Sequence, residues 1–194
     1  MAAARKTPRG KPPKSVEAIW QDIGGWYREH APRLAKELRP GESADAIEEF
    51  EKAVGIKLPA DYRSSLEVQG GGVTLSDFAY LPLSDVRKWW QSMTKRTASQ
   101  APADEDAGNA SNKLTSQRWS REWIPFAADS AGNLLCIDLA PGPKGHVGQV
   151  IQVEPAEGVF VTKFRSFGEW LAAYRDDLRR GAYEVDEDGL LQAK

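Results

Sequence analysis

Two blocks of turn-forming and aromatic residues, about 60 residues apart, constrain the fold of this 194-residue chain most strongly. The first block reads LPADYR at 58–63 and continues to three consecutive glycines at 70–72. The second block reads WIPFAAD at 123–129 and GNLLCIDL at 132–139, and it leads into SFGEWL at 166–171. Glycine and proline fix turns, while aromatic and branched residues fill buried faces. These blocks therefore specify a scaffold rather than a set of catalytic groups.

The first half of the chain has the apolar spacing that is typical of amphipathic helices. An opening helix is followed by a second one that Ser43 or Asp45 can cap and that Gly55 can end in a left-handed conformation. Pro59 suits the first turn of the next helix, where backbone N–H groups lack partners inside the helix. The glycines at 70–72 must end that helix, because each costs about 1 kcal/mol relative to alanine within a helix.

The second half of the chain has the pattern of an antiparallel sheet closed by a helix. Residues 134–139 form an apolar run that fits a central strand buried on both faces, and 147–153 and 159–164 fit its antiparallel partners. Ser166 and Glu169 have the spacing of a capping box that opens a last helix, before a small terminal hairpin. We therefore predict an α+β fold, in which a mostly antiparallel sheet carries helices packed on one face. The side chains expected in its core are Phe50, Tyr62, Leu135, Ile137, Trp170 and Tyr174.

The charge of the chain is small but unevenly placed. The net charge is −2, yet residues 1–14 hold five of the 26 basic residues and no acidic ones, which leaves 21 basic against 28 acidic residues in the remainder. This acidic remainder disfavours duplex nucleic acid as a ligand, because duplex binding depends on basic residues that neutralise phosphates. A basic protein partner suits it better. We predict a disordered basic tail at 1–14 and one domain at 15–194 with a flexible loop at 98–117.

The sequence also gives expectations about the compartment. It has no apolar run of the roughly 20 residues that a membrane-spanning helix needs, and its start lacks the apolar segment of a secretory signal. The single cysteine, Cys136, cannot form an intramolecular disulfide, which agrees with a reducing environment. We therefore expect a cytoplasmic protein that does not enter the membrane.

Few residues have the spacing of a catalytic or metal site. His30 and His146 fall in different elements, with no second ligand at a zinc-binding distance along the chain. Cys136 lies in the most apolar strand, which indicates an inert core thiol. Asp138 lies in the same strand, and we predict that it accepts hydrogen bonds from the backbone of 141–145 instead of reacting. The sequence thus predicts a protein without enzymatic activity, metal or cofactor.

Taken together, the motifs at 58–72, 123–139 and 166–171 resemble the SUKH superfamily. That superfamily contains the fungal Smi/Knr cell-wall-assembly regulators and many bacterial immunity proteins that neutralise secreted toxins. The resemblance covers residues 47–183, and it implies a Smi/Knr-type α+β domain. The resemblance also implies that Asp138 has a structural role.

Two functions follow from this resemblance. The leading hypothesis is a non-enzymatic immunity protein that binds and neutralises a cognate secreted bacterial toxin, such as a basic nuclease. The alternative is a regulatory protein-interaction scaffold like the fungal cell-wall-assembly regulators. An enzyme would require a pocket that unites Asp138, His146 and a basic group.

The partner-binding surface is expected to be acidic. Loops tolerate the variation that partner choice demands, and opposite potentials speed encounter, although an acidic cluster can equally be a solvated face. Exposed tryptophans at Trp89 or Trp119 are the alternative anchors. The acidic residues predicted to bind the partner are Asp104, Glu105, Asp106, Glu184, Asp186, Glu187 and Asp188.

Overall fold

A computed structural model describes residues 15–98, 112–115 and 118–194 of the chain. The predicted tail at 1–14 and most of the predicted loop at 98–117 lie outside these ranges. The described helices are α1 (Val16–His30), α2 (Pro32–Ala35), α3 (Ala44–Val54), α4 (Ala60–Val68), α5 (Leu83–Ala98) and α6 (Phe167–Arg179). The described strands are β1 (Val73–Leu75), β2 (Phe78–Tyr80), β3 (Trp123–Ala128), β4 (Leu134–Asp138), β5 (Gln149–Glu154), β6 (Gly158–Val161), β7 (Tyr183–Val185) and β8 (Leu191–Ala193).

The helix ends follow the predicted capping chemistry. Ser43, rather than Asp45, caps α3, since its hydroxyl oxygen accepts a hydrogen bond from the first turn of the helix. Gly55 ends α3 with φ of 77°, the left-handed conformation that glycine adopts without strain. Ser166 caps α6 and accepts from the N–H of Glu169 at 3.1 Å. Local sequence therefore fixes where these helices begin and end.

Strands β1 to β6 form one sheet in chain order, and every neighbouring pair is antiparallel. Strand β4 lies in the interior of the sheet, and all five of its side chains are buried. The terminal strands β7 and β8 form the separate hairpin that the sequence predicted. The predicted α+β class with an antiparallel sheet is confirmed.

Helices α1, α4 and α6 pack together on one face of this sheet, as predicted. The second face is covered as well. Gln152 lines a cavity with Trp170 of α6, whereas the next residue, Val153, lines a cavity with Met93 of α5. Because successive strand residues point to opposite faces, α5 lies across the sheet from α6. This double cover explains why β4 is buried on both sides.

Aromatic side chains fill the space between the sheet and α6. The ring centroids of Tyr62 and Phe167 lie 5.1 Å apart, and those of Phe126 and Phe167 lie 5.2 Å apart. Such tilted and edge-on contacts are favourable because the positive edge of one ring meets the negative face of another. Of the six predicted core residues, five are buried, and Trp170 is half-buried at the sheet surface.

The triple glycine of the first block has a packing role. A side chain at Gly70 would place its Cβ 2.5 Å from the carbonyl oxygen of Pro40, and one at Gly41 would lie 1.9 Å from that of Glu67. Gly71 has φ of 83° and passes equally close to the backbone of Leu81. Only glycine permits such close backbone approach. The block therefore joins the end of α4 to the preceding loop, as a scaffold motif does.

Candidate protein-interaction site

A groove of about 280 Å³ opens beside α6. The turn between β1 and β2 forms one wall, α6 forms another, and the terminal hairpin closes one end through Tyr183. Much of its lining is aromatic and half-buried, so the groove offers apolar surface that remains accessible. The aromatic residues that line it are Phe78, Phe164, Trp170, Tyr174 and Tyr183.

The base of the groove is rigidly held. The hydroxyl of Tyr174 lies 2.6 Å from the hydroxyl of Tyr27 on α1, and the latter also donates to the carbonyl oxygen of Thr74 in β1. Burial is the main cause that raises the pKa of Tyr27 and Tyr174 above the usual tyrosine range, so both remain neutral donors. Trp170 packs edge-on against Phe126 with ring centroids 4.9 Å apart. The aromatic walls are thus anchored to three different elements.

The charged side chains that line the groove are two carboxylates, Asp77 and Asp177. Asp77 follows Ser76, which has φ of 61°, and its exposed carboxylate has no hydrogen bond or ion pair with any described residue. Asp177 forms an ion pair with Arg180 at 3.0 Å. Lys163 lies over the ring of Phe164, at 5.2 Å from its centroid. The lining therefore combines apolar surface with acceptors for a cationic group.

The predicted acidic residues of the C-terminal hairpin, whose Tyr183 lines this groove, have different roles. Glu184 and Glu187 are exposed. Asp186 caps its own turn: its carboxylate accepts from the N–H of Leu190 at 2.8 Å, and this bond is the first cause that lowers its pKa. The carbonyl oxygen of Asp188 accepts from the guanidinium group of Arg33. The turn is therefore fixed to α2, and the side chains of Glu184, Glu187 and Asp188 form no hydrogen bond or ion pair with described residues.

The other predicted contact residues are distributed differently. Asp104, Glu105 and Asp106 lie outside the described residues. The prediction of an exposed anchor at Trp119 is wrong, because its indole is buried against Trp123 and donates to the hydroxyl of Thr94 at 3.2 Å. Trp89 is half-buried and lines a separate shallow cavity of about 290 Å³.

Asp138 has a structural role, but its partners differ from those predicted. Its carboxylate accepts from the side-chain amide of Gln149 at 2.9 Å and from the N–H of Ala140 at 3.1 Å, instead of from 141–145. The same Gln149 amide donates to the carbonyl oxygen of Lys113 at 2.9 Å. Burial raises the pKa of Asp138, and these hydrogen bonds oppose the rise. The pair thus links a strand of the sheet to the segment at 112–115.

The remaining reactive side chains are not assembled into a catalytic set. His146 is exposed, and only its backbone N–H reaches the Asp138 network, through the Oε1 of Gln149. His30 stacks on Trp26 at 4.6 Å. Cys136 is buried, and burial raises the pKa of its thiol well above the usual value. In the ranges that the structure covers, no group of three or more His, Cys, Asp or Glu residues could hold a metal ion.

The same ranges contain no helix of the length and apolarity that crossing a membrane requires.

Sequence reasoning missed the groove itself. Asp77 lies in a two-residue turn, and Phe164 follows a strand, so neither has a periodicity that marks it as functional. Trp170 falls on the apolar stripe of α6, a position that indicates a core residue. One feature of the sequence could have indicated the groove. Ser76 and Asp77 form a polar two-residue turn between short apolar strands, and such a turn projects its side chains toward solvent.

Comparison with known proteins adds a family and several relatives. Residues 41–173 match the family model described as SMI1 / KNR4 family (SUKH-1). A glucan synthesis regulatory protein of Neurospora crassa is 29% identical over 213 residues, which covers 89% of this chain and 40% of the relative. The segment that the family model matches, 41–173, contains the elements from α3 to most of α6.

Two further relatives are also fungal. The cell wall biosynthesis/cell cycle regulator smi1 of Schizosaccharomyces pombe is 29% identical over 196 residues, covering 91% of this chain and 38% of the relative. The cell wall assembly regulator SMI1 of Saccharomyces cerevisiae is 24% identical over 212 residues, covering 87% of this chain and 41% of the relative. The chain therefore spans about two fifths of the length of these relatives.

Proposed function

This chain belongs to the SMI1/KNR4 family (SUKH-1), and from that membership we propose that it is a regulatory protein-interaction domain. The relatives above are named as regulators and not as enzymes. The observation that carries the proposal is the groove beside α6, where accessible aromatic side chains surround two carboxylates. Surfaces of this composition bind proteins, because aromatic side chains provide large contact area and charges select the partner.

The chemistry of the groove indicates the kind of segment that it binds. Its volume of about 280 Å³ accommodates one or two side chains, and the walls of Phe164, Trp170 and Tyr183 favour apolar ones. Asp77 has no described partner, so it is available to a lysine or arginine of the bound segment. We therefore expect a segment in which basic and apolar side chains occur close together.

A peptide experiment tests this binding chemistry. The probe is a fluorescein-labelled peptide of alternating arginine and leucine residues, and its control is the same peptide with glutamate in place of arginine. Fluorescence anisotropy should show binding of the basic peptide only. Asp77→Lys and Asp177→Lys should each weaken it by about 2- to 5-fold, the range of exposed ion pairs. Glu122→Lys changes an exposed carboxylate outside the lining and should leave binding unchanged. Equal binding of both peptides would contradict the proposal.

The regulated process is proposed to be cell-wall assembly, because relatives that align with most of this chain carry that function in their names. A chimeric regulator tests it. The aligned region of the Schizosaccharomyces pombe relative is replaced by this chain, and growth is measured under cell-wall stress. The chimera should restore growth, and a deletion of the region should not. A stable, expressed chimera that fails to restore growth would refute this role while leaving peptide binding to be judged separately.

The immunity-protein hypothesis draws no support from the relatives above, which are fungal regulators. It retains one structural argument, since the exposed Glu184 and Glu187 could meet a basic toxin. Co-expression with a toxin encoded beside the gene would separate the two functions. Protection of the cells together with a stable complex would favour immunity, and unchanged toxicity would favour regulation.

A further inference from the structure

The two outer strands of the six-stranded sheet differ in whether other residues form hydrogen bonds with their outward backbone groups. At β1, Glu37 accepts from the N–H of Thr74 at 3.3 Å, and Tyr27 donates to the carbonyl oxygen of Thr74 at 3.1 Å. Side chains of the helical layer therefore satisfy this edge. At β6, no described residue forms a hydrogen bond with the outward backbone groups of Val159 and Val161. Among the described residues, therefore, one edge of the sheet is sealed and the other is open.

The direction of the β6 backbone follows from its pairing with β5. Thr162 donates its N–H to the carbonyl oxygen of Val150 at 3.1 Å, and Phe160 is paired with Gln152. Because backbone groups alternate in direction along a strand, Phe160 and Thr162 face β5. Val159 and Val161 then direct their N–H and C=O groups away from the sheet.

The usual protections of a sheet edge are missing from β6. Its four residues, Gly158–Val161, contain no proline and no charged side chain. Phe160 is 47% exposed, one of the few large apolar side chains that the described structure leaves in solvent. Natural proteins blunt open edges with charges, proline or a covering element, because an unprotected edge pairs readily with another strand.

The sequence around β6 is complementary to itself. If two copies of the strand pair antiparallel about Phe160, Val159 of each copy lies opposite Val161 of the other, and both have outward backbone groups. The same register brings Glu157, before the strand, beside Lys163 of the second copy, after the strand. Phe160 meets its own counterpart at a position without backbone hydrogen bonds, where side chains approach most closely. Side-chain packing, backbone hydrogen bonding and charge therefore all favour the register in which Phe160 lies opposite its counterpart.

We propose that two copies of this chain associate through their β6 edges to form a symmetric dimer with a continuous sheet. An isologous two-fold contact of this kind closes on itself, so association stops at two copies. The four-residue edge makes a small interface, and we expect weak, concentration-dependent association. Since the two-fold axis is perpendicular to the sheet, the grooves beside α6 lie on the same face. The dimer does not depend on the proposed function of those grooves.

Sedimentation equilibrium of the full chain over a wide range of concentrations tests the proposal. The mean mass should rise toward that of a dimer. Val161→Pro should remain monomeric at every concentration, because proline removes the outward N–H while the bonds to β5 persist, as edge strands permit. Its thermal unfolding should stay close to that of the wild-type chain. A wild-type chain that is monomeric throughout, or dimerisation that Val161→Pro leaves unchanged, would overturn the proposal.

Charge exchange provides a second test that does not require a proline. Glu157→Lys alone and Lys163→Glu alone should each reduce dimerisation, since like charges then meet at both ends of the paired strands. An equimolar mixture of the two variants should recover it, because each copy then opposes the other with opposite charges. Glu29→Lys, on α1, changes charge equally and should dimerise as the wild type does. Failure of the mixture to recover association would refute this register.

Discussion

The phenolic oxygens of Tyr27 and Tyr174 lie 2.6 Å apart, although 147 residues separate them in the chain. This hydrogen bond joins α1 to α6 beneath the groove, and through Tyr27 it reaches the carbonyl oxygen of Thr74 in β1. This buried polar contact therefore links the first and last described helices, in addition to the ion pair of Asp22 with Arg179 at 2.8 Å. The groove depends on it, since Tyr174 forms part of its lining.

Removal of either hydroxyl should weaken the fold modestly. Tyr174→Phe should lower the free energy of unfolding by about 0.5–1.5 kcal/mol, the net value of one hydrogen bond. Tyr27→Phe should lower it by more, because it also removes the hydrogen bond to the carbonyl oxygen of Thr74. The double variant should lose less than the two single losses added together, because both remove the same contact. Urea denaturation measures all three. Tyr183→Phe, whose hydroxyl makes no hydrogen bond with described residues, is the matched control and should change little.

The Asp138–Gln149 pair predicts a stability loss that depends on pH. Gln149→Leu removes the amide that donates to the buried carboxylate, which should cost about 1–3 kcal/mol at pH 7. The pKa of Asp138 is already raised by burial, and loss of this donor raises it further. Between the unfolded and folded pKa values the native state binds more protons, so stability falls as pH rises through that window.

The destabilisation by Gln149→Leu should therefore be larger at pH 7 than below pH ~3, where the carboxyl group is protonated in both states. Chemical denaturation at several pH values measures the difference. Asp138→Asn removes the ionisable group and should abolish this part of the pH dependence. A destabilisation by Gln149→Leu that is the same at all pH values would contradict the assigned role of the carboxylate.

For Glu51 we expect the stability of the fold to depend on pH in the opposite direction. Its carboxylate is buried, which opposes ionisation, but hydrogen bonds from Lys57 at 2.6 Å and the N–H of Leu58 at 2.9 Å, with the charge of Arg63, lower its pKa overall. Stability from a lowered pKa is present above the unfolded value and is lost as pH falls through the folded value.

Glu51→Gln should therefore be less stable than the wild type by about 1–3 kcal/mol at pH 7, with a difference that shrinks at acidic pH. Thermal unfolding between pH 3 and pH 7 measures it. Glu48→Gln changes a half-exposed carboxylate on the same helix, 3.9 Å from Arg63, and should have little effect. A stability difference between Glu51→Gln and the wild type that stays constant with pH would contradict an ionised Glu51 carboxylate in the folded state.

The centre of the sheet should be sensitive to loss of volume. Ile137 is fully buried in β4, between layers of helices, so Ile137→Ala removes buried methyl groups and leaves a cavity. We expect a loss of about 2–5 kcal/mol in the free energy of unfolding. Val147→Ala removes methyl groups from a side chain that is 72% exposed and should be nearly neutral. Equal effects of the two substitutions would contradict the packing of β4.

The exposed glutamates of the terminal hairpin should affect the rate of partner binding. Charge reversal at Glu184 and Glu187 should slow association of the arginine–leucine peptide, and added salt should mask the difference, because rim charges act by steering. Stopped-flow fluorescence at low and high salt measures both rates. Asp186→Lys should in addition loosen the hairpin, since Asp186 caps the turn. An unchanged rate at low salt would identify these glutamates as a solvated face.

Much of the fold was predictable because its signals are local. Ser43 and Gly55 mark the ends of one helix through hydrogen bonding and backbone conformation within a few residues of themselves. The apolar run at 134–139 predicts a doubly buried strand because turn-forming residues bound it on both sides, and all five residues of β4 are buried. The prediction for Trp119 failed because a single tryptophan near a loop does not reveal what packs on it.

The amino-acid sequence by itself determined the helices, the strands, the glycine-dependent close packing and the family to which the chain belongs, because these depend on residue type and on short spacings. The tertiary structure alone decided the sites. Asp77, Trp170 and Tyr183 come from separate elements, and only the packing of α6 between the sheet and the terminal hairpin makes them one groove. The open edge at β6 was decided in the same way, since it depends on which strand lies outermost and on what covers it. Such contacts join residues far apart along the chain, and no local pattern encodes them.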